Sequence, residues 1–245
     1  MKTFIKTLLI LALGLPGMAP AEVKLGNEVL VEGQFKVLQG KRLGLITNPS
    51  GVNRNLESTV EVLHAAPGVK LAALFGPEHG VYGDIEAGKK VDTLVDKRTG
   101  LPAYSLYGKT HKPTPEMLKD LDALVYDLQD TGCRSYTYIS TMGMAMEACG
   151  EAGLEFIVLD RPNPLGGERI EGAMLEEKFR SGVSKWNVPY VYGLTCGELA
   201  RLLNGERLIK TPCRLTVVPM KGWKRSMVWS DTGLPWVPSS PHVPH

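Results

Sequence analysis

Carboxylates and an imidazole recur in this chain where short apolar runs give way to turn residues. Glu78 and His79 follow the run Leu71 to Phe75 and are hemmed by Gly76, Pro77, Gly80 and Gly83. Asp127, Asp130 and Arg134 follow a second run, Asp160, Arg161 and Asn163 a third, and Asn48 a fourth. Apolar runs bounded by glycine and proline read as buried strands entering turns. In an open parallel sheet, ligands bind outside the carboxyl ends of the strands. Titratable groups delivered there are placed for acid–base chemistry. One such cluster would mean little, and the plainer reading of Glu78 and His79 is a surface turn. Four on one edge are hard to explain as solvation, which Ser, Lys or Gly would serve as well.

Several residues admit two readings. Glu171, in Arg169-Ile-Glu-Gly172, is a second acid candidate or a plain loop carboxylate. Arg134 and Arg161 either contact substrate or form ion pairs that hold the loops, Arg134 with Asp127 or Asp130. Tyr82, Tyr136 and Tyr138 supply an aromatic rim suited to stacking on sugar rings. His79, Asp127 and Asp130 could be assembled around a metal, but without H-E-x-x-H the set is thin, and no metal is expected. Neither Gly-x-Gly-x-x-Gly nor a Walker sequence follows any strand, so no nucleotide cofactor is expected. Gly-x-Ser-x-Gly is absent too, which disfavours a serine hydrolase of the nucleophile-elbow type. Lys89-Lys90 reads as solvated.

The elements that must position these residues follow in order. Strands are expected at Lys41–Asn48, Leu71–Phe75, Leu121–Leu128, Phe156–Asp160 and Leu215–Pro219. Helices are expected at Leu56–Ala66, at Thr114–Leu121 with Pro115 in its first turn, at Tyr136–Ala152, and from a capping box at Thr195. Residues 27–39 form an amphipathic lead-in. Residues 81–104 read as a long irregular connection. Apolar strands alternating with helices predict an α/β fold, a Rossmann-like parallel sheet with helices on both faces. Right-handed crossovers would bring the strand ends to one edge.

The composition excludes other classes. With 28 Lys and Arg against 26 Asp and Glu in 245 residues, the net charge of +2 points to neither nucleic acid nor an acidic membrane surface. Lys2 and Lys6, an apolar run from Leu8 to Leu15 and Ala19-Pro20-Ala21 predict a signal peptide, residues 1–21, cleaved after Ala21. The run is too short for a membrane anchor, so a periplasmic or secreted protein without a membrane partner is expected. The four cysteines show no C-x-x-C spacing, and buried free thiols are preferred to any particular bridge. Residues 22–225 are taken as the catalytic domain and 226–245 as a linker opening a truncated C-terminal domain. Trp223, Trp229 and Trp236 are then expected to face that domain and line a cleft opposite Glu78, or else to lap over the core.

Phe75-Gly-Pro-Glu-His-Gly80, Asp127-Leu-Gln-Asp-Thr-Gly-Cys-Arg-Ser-Tyr-Thr-Tyr138 and Leu159-Asp-Arg-Pro-Asn-Pro-Leu-Gly-Gly167 resemble the exo-β-N-acetylmuramidases of the NamZ type. The resemblance runs from about Lys41 to the C-terminus. It implies a Rossmann-like domain, a smaller C-terminal domain, a site in the cleft between them, and removal of N-acetylmuramic acid from the non-reducing ends of peptidoglycan chains. It places Glu78 on the expected catalytic glutamate. Glycoside hydrolysis needs an acid and usually a second carboxylate. Asp127, Asp130 and Glu171 are the candidates for that second role, with the substrate's 2-acetamido group as a further option. Asn48, His79, Asp130, Arg134, Tyr136 and Asn163 are the expected substrate-binding residues. The alternative is a secreted module that binds muropeptides or other sugars without cutting them.

Overall fold

A computed structural model of the protein describes residues 22–84 and 94–239. The predicted leader, Lys89-Lys90 and the last six residues of the tail lie outside that range. Among the described residues, seven strands form one sheet: β1 (Arg42–Thr47), β2 (Lys70–Gly76), β3 (Leu94–Val95), β4 (Pro102–Ser105), β5 (Ala123–Asp127), β6 (Glu155–Leu159) and β7 (Arg214–Val218). Their order is β3-β4-β2-β1-β5-β6-β7. Every pairing is parallel except β3 with β4. The carboxyl ends of β1, β2, β4, β5, β6 and β7 therefore share one edge.

Among the described residues, five α-helices cover the sheet: α1 (Gly26–Glu32), α2 (Thr59–Ala65), α3 (Pro115–Leu118), α4 (Thr137–Ala152) and α5 (Cys196–Gly205). The strand period of two divides the apolar residues between two cores. Leu43, Leu45, Leu74, Val125, Ile157 and Leu159 pack with Leu30 of α1 and Val60 and Leu63 of α2. Ile46, Phe75, Leu124, Tyr126, Phe156 and Val158 pack with α3, α4 and α5 on the other face. Helices on both faces explain why the strands are almost continuously apolar.

α4 is the central helix of its layer. Eleven of its sixteen residues are buried, so it is covered on the side away from the sheet as well. Trp186 does much of that covering: it is 2% exposed, and its indole N–H donates to the Ile139 carbonyl at 2.8 Å. Gly143 makes the approach possible, since a Cβ there would lie 2.2 Å from Trp186 Cζ2. Ser58 and Thr195 cap α2 and α5, each with a glutamate three residues on that bonds back.

Two strands fall within the stretch expected to be irregular. β4 is a parallel neighbour of β2, and β3 closes the edge antiparallel to it. Both are short, and Pro102 opens β4, the first position of a strand, where a missing N–H is tolerated. The lead-in likewise resolves into α1 and a 3-10 turn at Lys36–Leu38. All four cysteines are free thiols, with Cys149 and Cys196 buried.

The tryptophan-rich tail folds back on the start of the described chain. Trp223, Met227 and Trp229 pack on Val23, Leu25 and Leu234. Trp236 meets Trp229 edge to face with ring centroids 4.9 Å apart, and stays 43% exposed. This is the lapping arrangement for two indoles and an open position for the third.

Candidate active site

The turn after β2 leaves Glu78 half-buried between two buried neighbours, Pro77 and His79. Gly76 packs against the returning chain: a Cβ there would meet Gly80 Cα and Val81 N at 2.8 Å. His79 and Gly80 are both left-handed, at φ 71° and 76°, and Gly80 N–H closes the turn on the Pro77 carbonyl at 2.9 Å. A non-glycine residue in that region carries strain that surrounding structure must hold in place. Buried His79 is held inside, while Glu78 remains half-buried. Thr137, the first residue of α4, donates Oγ1 to Glu78 Oε2 at 3.1 Å. Tyr107, just beyond β4, lies beside the same carboxylate. Its hydrogen bond to Glu78 and the adjacent charge raise the phenol above its ordinary value.

The neighbouring strand ends hold the framework of the site. Asp127 is fully buried at the end of β5. Arg161 Nε reaches Asp127 Oδ1 at 2.5 Å and Arg161 Nη2 reaches Oδ2 at 3.0 Å. Thr59 Oγ1 and Asn27 Nδ2 also donate to Oδ2. Four donor groups hold one carboxylate, three of them on Oδ2 and one on Oδ1. Asp127 is thus committed to a buried ion pair joining β5 to β6, with α1 and α2 bonded to it. Arg161 completes its fork on the Val52 carbonyl at 2.8 Å.

Asp160 is a helix anchor. Its Oδ1 accepts from Arg161 N and Gly197 N at 3.0 and 2.7 Å, and Oδ2 accepts from Thr195 Oγ1 at 3.0 Å. Burial still raises its carboxyl to about 6. Asp130 is buried beside Tyr192, whose hydroxyl donates to Oδ2 along with Gly132 N. Its Oδ1 is buried with no partner among the described residues. Burial raises this carboxyl to about 6 as well, against the pull of those donors.

The remaining expected residues are placed as follows. Asn48 gives Nδ2 to Tyr138 Oη at 2.6 Å and takes Ser50 N and Oγ on Oδ1. Tyr136 meets Ser239 Oγ at 2.6 Å, while Tyr138 donates to the Ser239 carbonyl. The tail therefore crosses the sheet edge above Asn48. Asn163 forms an Asx turn with Leu165 N and donates to the Leu194 carbonyl at 3.0 Å. Arg134 makes neither expected ion pair among the described residues. It donates Nη1 to the carbonyls of Ala173 and Val188 at 2.8 and 2.6 Å, pinning the excursion between β6 and α5. Glu171 lies exposed on that excursion. Arg169 clamps it from Nε and Nη2 at 2.6 and 3.0 Å, which lowers its carboxyl. Tyr82 donates to Asp96 at 3.2 Å, with Arg98 4.3 Å over its ring, and lines a cavity beside the Glu78 turn together with Gly76 and Gly80.

Sequence reasoning missed Thr137, Tyr107, Asn27, Thr59 and Tyr192. Thr137 falls inside the quoted Ser-Tyr-Thr-Tyr stretch, and its place at the start of α4 was the available signal. The other four reach their carboxylates across long separations that no local pattern records. No group of three potential metal ligands occurs among the described residues.

The family model described as exo-beta-N-acetylmuramidase NamZ, N-terminal, matches residues 43–245. The chain belongs to this family. A family relative from Bacillus subtilis strain 168, peptidoglycan beta-N-acetylmuramidase NamZ, is 55% identical over 223 residues. That match covers 91% of this chain and 53% of the relative. Two crystal structures of DUF1343 family proteins from Bacteroides fragilis NCTC 9343 share the fold. One is 63% identical with a TM-score of 0.86, covering 91% of this chain and 56% of that one. The other is 33% identical with a TM-score of 0.74, covering 85% and 55%. The chain thus spans about half the length of the relatives it matches.

Proposed function

We propose that this chain carries the catalytic acid of an exo-acting glycoside hydrolase. Its substrates are peptidoglycan fragments, from whose non-reducing ends N-acetylmuramic acid is released. The observation that carries this reading is Glu78. It sits half-buried in a strained turn at the strand-end edge and is bonded by Thr137, in a chain whose family model is described as an exo-muramidase. Export to the periplasm or outside the cell, with cleavage after Ala21, belongs to the same proposal. It is supported by the leader pattern and by the tight packing of Val23 and Leu25 immediately after it.

Glu78 protonates the glycosidic oxygen as the bond from C1 breaks, and the leaving sugar departs as an alcohol. The three candidates for a second carboxylate are otherwise engaged. Asp127 is held in a buried ion pair with Arg161, Glu171 is clamped by Arg169 on an exposed loop, and Asp130 is buried beside Tyr192. We therefore assign the nucleophile to the substrate's own 2-acetamido oxygen, which closes on C1. Water then opens that ring as ionised Glu78 takes its proton, and configuration is retained.

Glu78→Gln should lower release of N-acetylmuramic acid by about 10²–10⁴-fold, the usual worth of a general acid, with the melting temperature unchanged. Wild-type-like turnover in that variant would sink the assignment. Product anomers followed by NMR should show retention, and an inverted first-formed product would exclude the acetamido route.

A further inference from the structure

The Glu78 carboxyl is held between two rigid pieces of backbone. Its own turn is fixed by the left-handed pair His79 and Gly80. Its partner Thr137 opens the sixteen-residue helix α4, buried along most of its length. A β-branched threonine in a helix is restricted largely to two χ1 rotamers, so the helix limits where its hydroxyl can stand. That hydroxyl lies 3.1 Å from Oε2. Tyr107 sits beside the same carboxylate, and Tyr136 and Tyr138 also feel its charge.

We infer that Thr137 is a positioning residue for Glu78, occupying Oε2 as an acceptor so that the transferable proton resides on Oε1. A protonated carboxyl has one donor oxygen and one acceptor oxygen. With the single hydroxyl hydrogen of Thr137 directed at Oε2, that oxygen is kept as the carbonyl. The acidic hydrogen on Oε1 is then aimed by the helix rather than left to a rotamer choice. As it passes to the glycosidic oxygen, the C1–O bond breaks with its electron pair going to the leaving group. Negative charge then develops on Glu78, where the hydrogen bond from Thr137 strengthens. The benefit lies in the transition state rather than in substrate binding. This inference rests on the reading of Glu78 as the general acid.

The test uses Thr137→Val, which keeps shape and removes the hydroxyl, and Thr137→Ser, which keeps the hydroxyl. Both are made in the full chain and assayed on a chromogenic muramic acid glycoside. The expected result for Thr137→Val is a kcat about 10²-fold lower with KM little changed, the scale of a misplaced reacting group. Thr137→Ser should restore most of that loss. A crystal structure of Thr137→Val should show the Glu78 side chain rotated away from its wild-type position. Wild-type kcat, a defect confined to KM, no rescue by serine, or an unmoved Glu78 would each overturn the inference. Glu78→Gln separates the two levels of argument. If it is inactive while Thr137→Val is normal, only the positioning role fails; if it remains active, the reading of Glu78 itself fails.

Discussion

At Asp127, the guanidinium fork of Arg161 meets both carboxylate oxygens with each side chain at most 3% exposed. Removing one partner of such a pair leaves the other charge buried and uncompensated. Asp127→Asn should therefore cost about 3–5 kcal/mol of stability, read from urea unfolding midpoints. A loss below about 1 kcal/mol would show that the pair merely fills space. Asp130 and Asp160 work in the opposite sense. Burial raises each from 3.8 to about 6, so the folded state binds protons more readily than the unfolded chain. Their contribution to stability is fully present below the unfolded value and is lost as pH rises through about 6. Asp130→Asn should flatten this part of the stability–pH curve between about pH 4 and 6. An unchanged slope would show that Asp130 is not the group being titrated.

At the scale of elements, α4 carries two obligations: it begins at the site and it docks against Trp186. Gly143→Ala would place a methyl 2.2 Å from the indole, which leaves Trp186 or the helix to move. Overpacking of this kind costs about 1–3 kcal/mol, and differential scanning calorimetry would register it. A melting temperature equal to wild type would mean that the 184–188 segment yields freely. The helix was legible in the sequence, as were β1, β2, β5, β6 and β7. Each is an apolar run long enough to show its period and bounded by turn residues. β3 and β4 were not, because two and four residues are too few for a period to declare itself. The site divides in the same way. The position of Glu78 just past a strand end was legible, but the arginine that serves Asp127 was not. Arg134 and Arg161 both follow strands, and only the fold shows that the first spends its guanidinium on backbone carbonyls.

Across the whole molecule, the residues just after the predicted leader are tied to the far end of the described chain. Lys24 pairs with Lys221 in an antiparallel bridge, Gly26 N–H bonds to the Asp160 carbonyl, and Leu25 packs with Leu234 and two indoles. Leu25→Ala should cost about 2–5 kcal/mol and red-shift tryptophan emission as Trp223 and Trp229 are uncovered. Unaltered emission would show that the tail packs without help from that segment.

The same pairing sets an order on the folding of the chain. Synthesis proceeds from the N-terminus, yet Val23 to Asn27 find their native partners only after Asp127, Asp160, Lys221 and Leu234 have been made. Long-range closures of this kind are slow, because the chain must lose loop entropy before contacts repay it. Under the export proposed above, in which the chain would pass unfolded through a narrow channel, that delay would be useful. The segment nearest the leader would stay unpaired until nearly all of the described residues had passed, so the last lock on the fold would close on the far side.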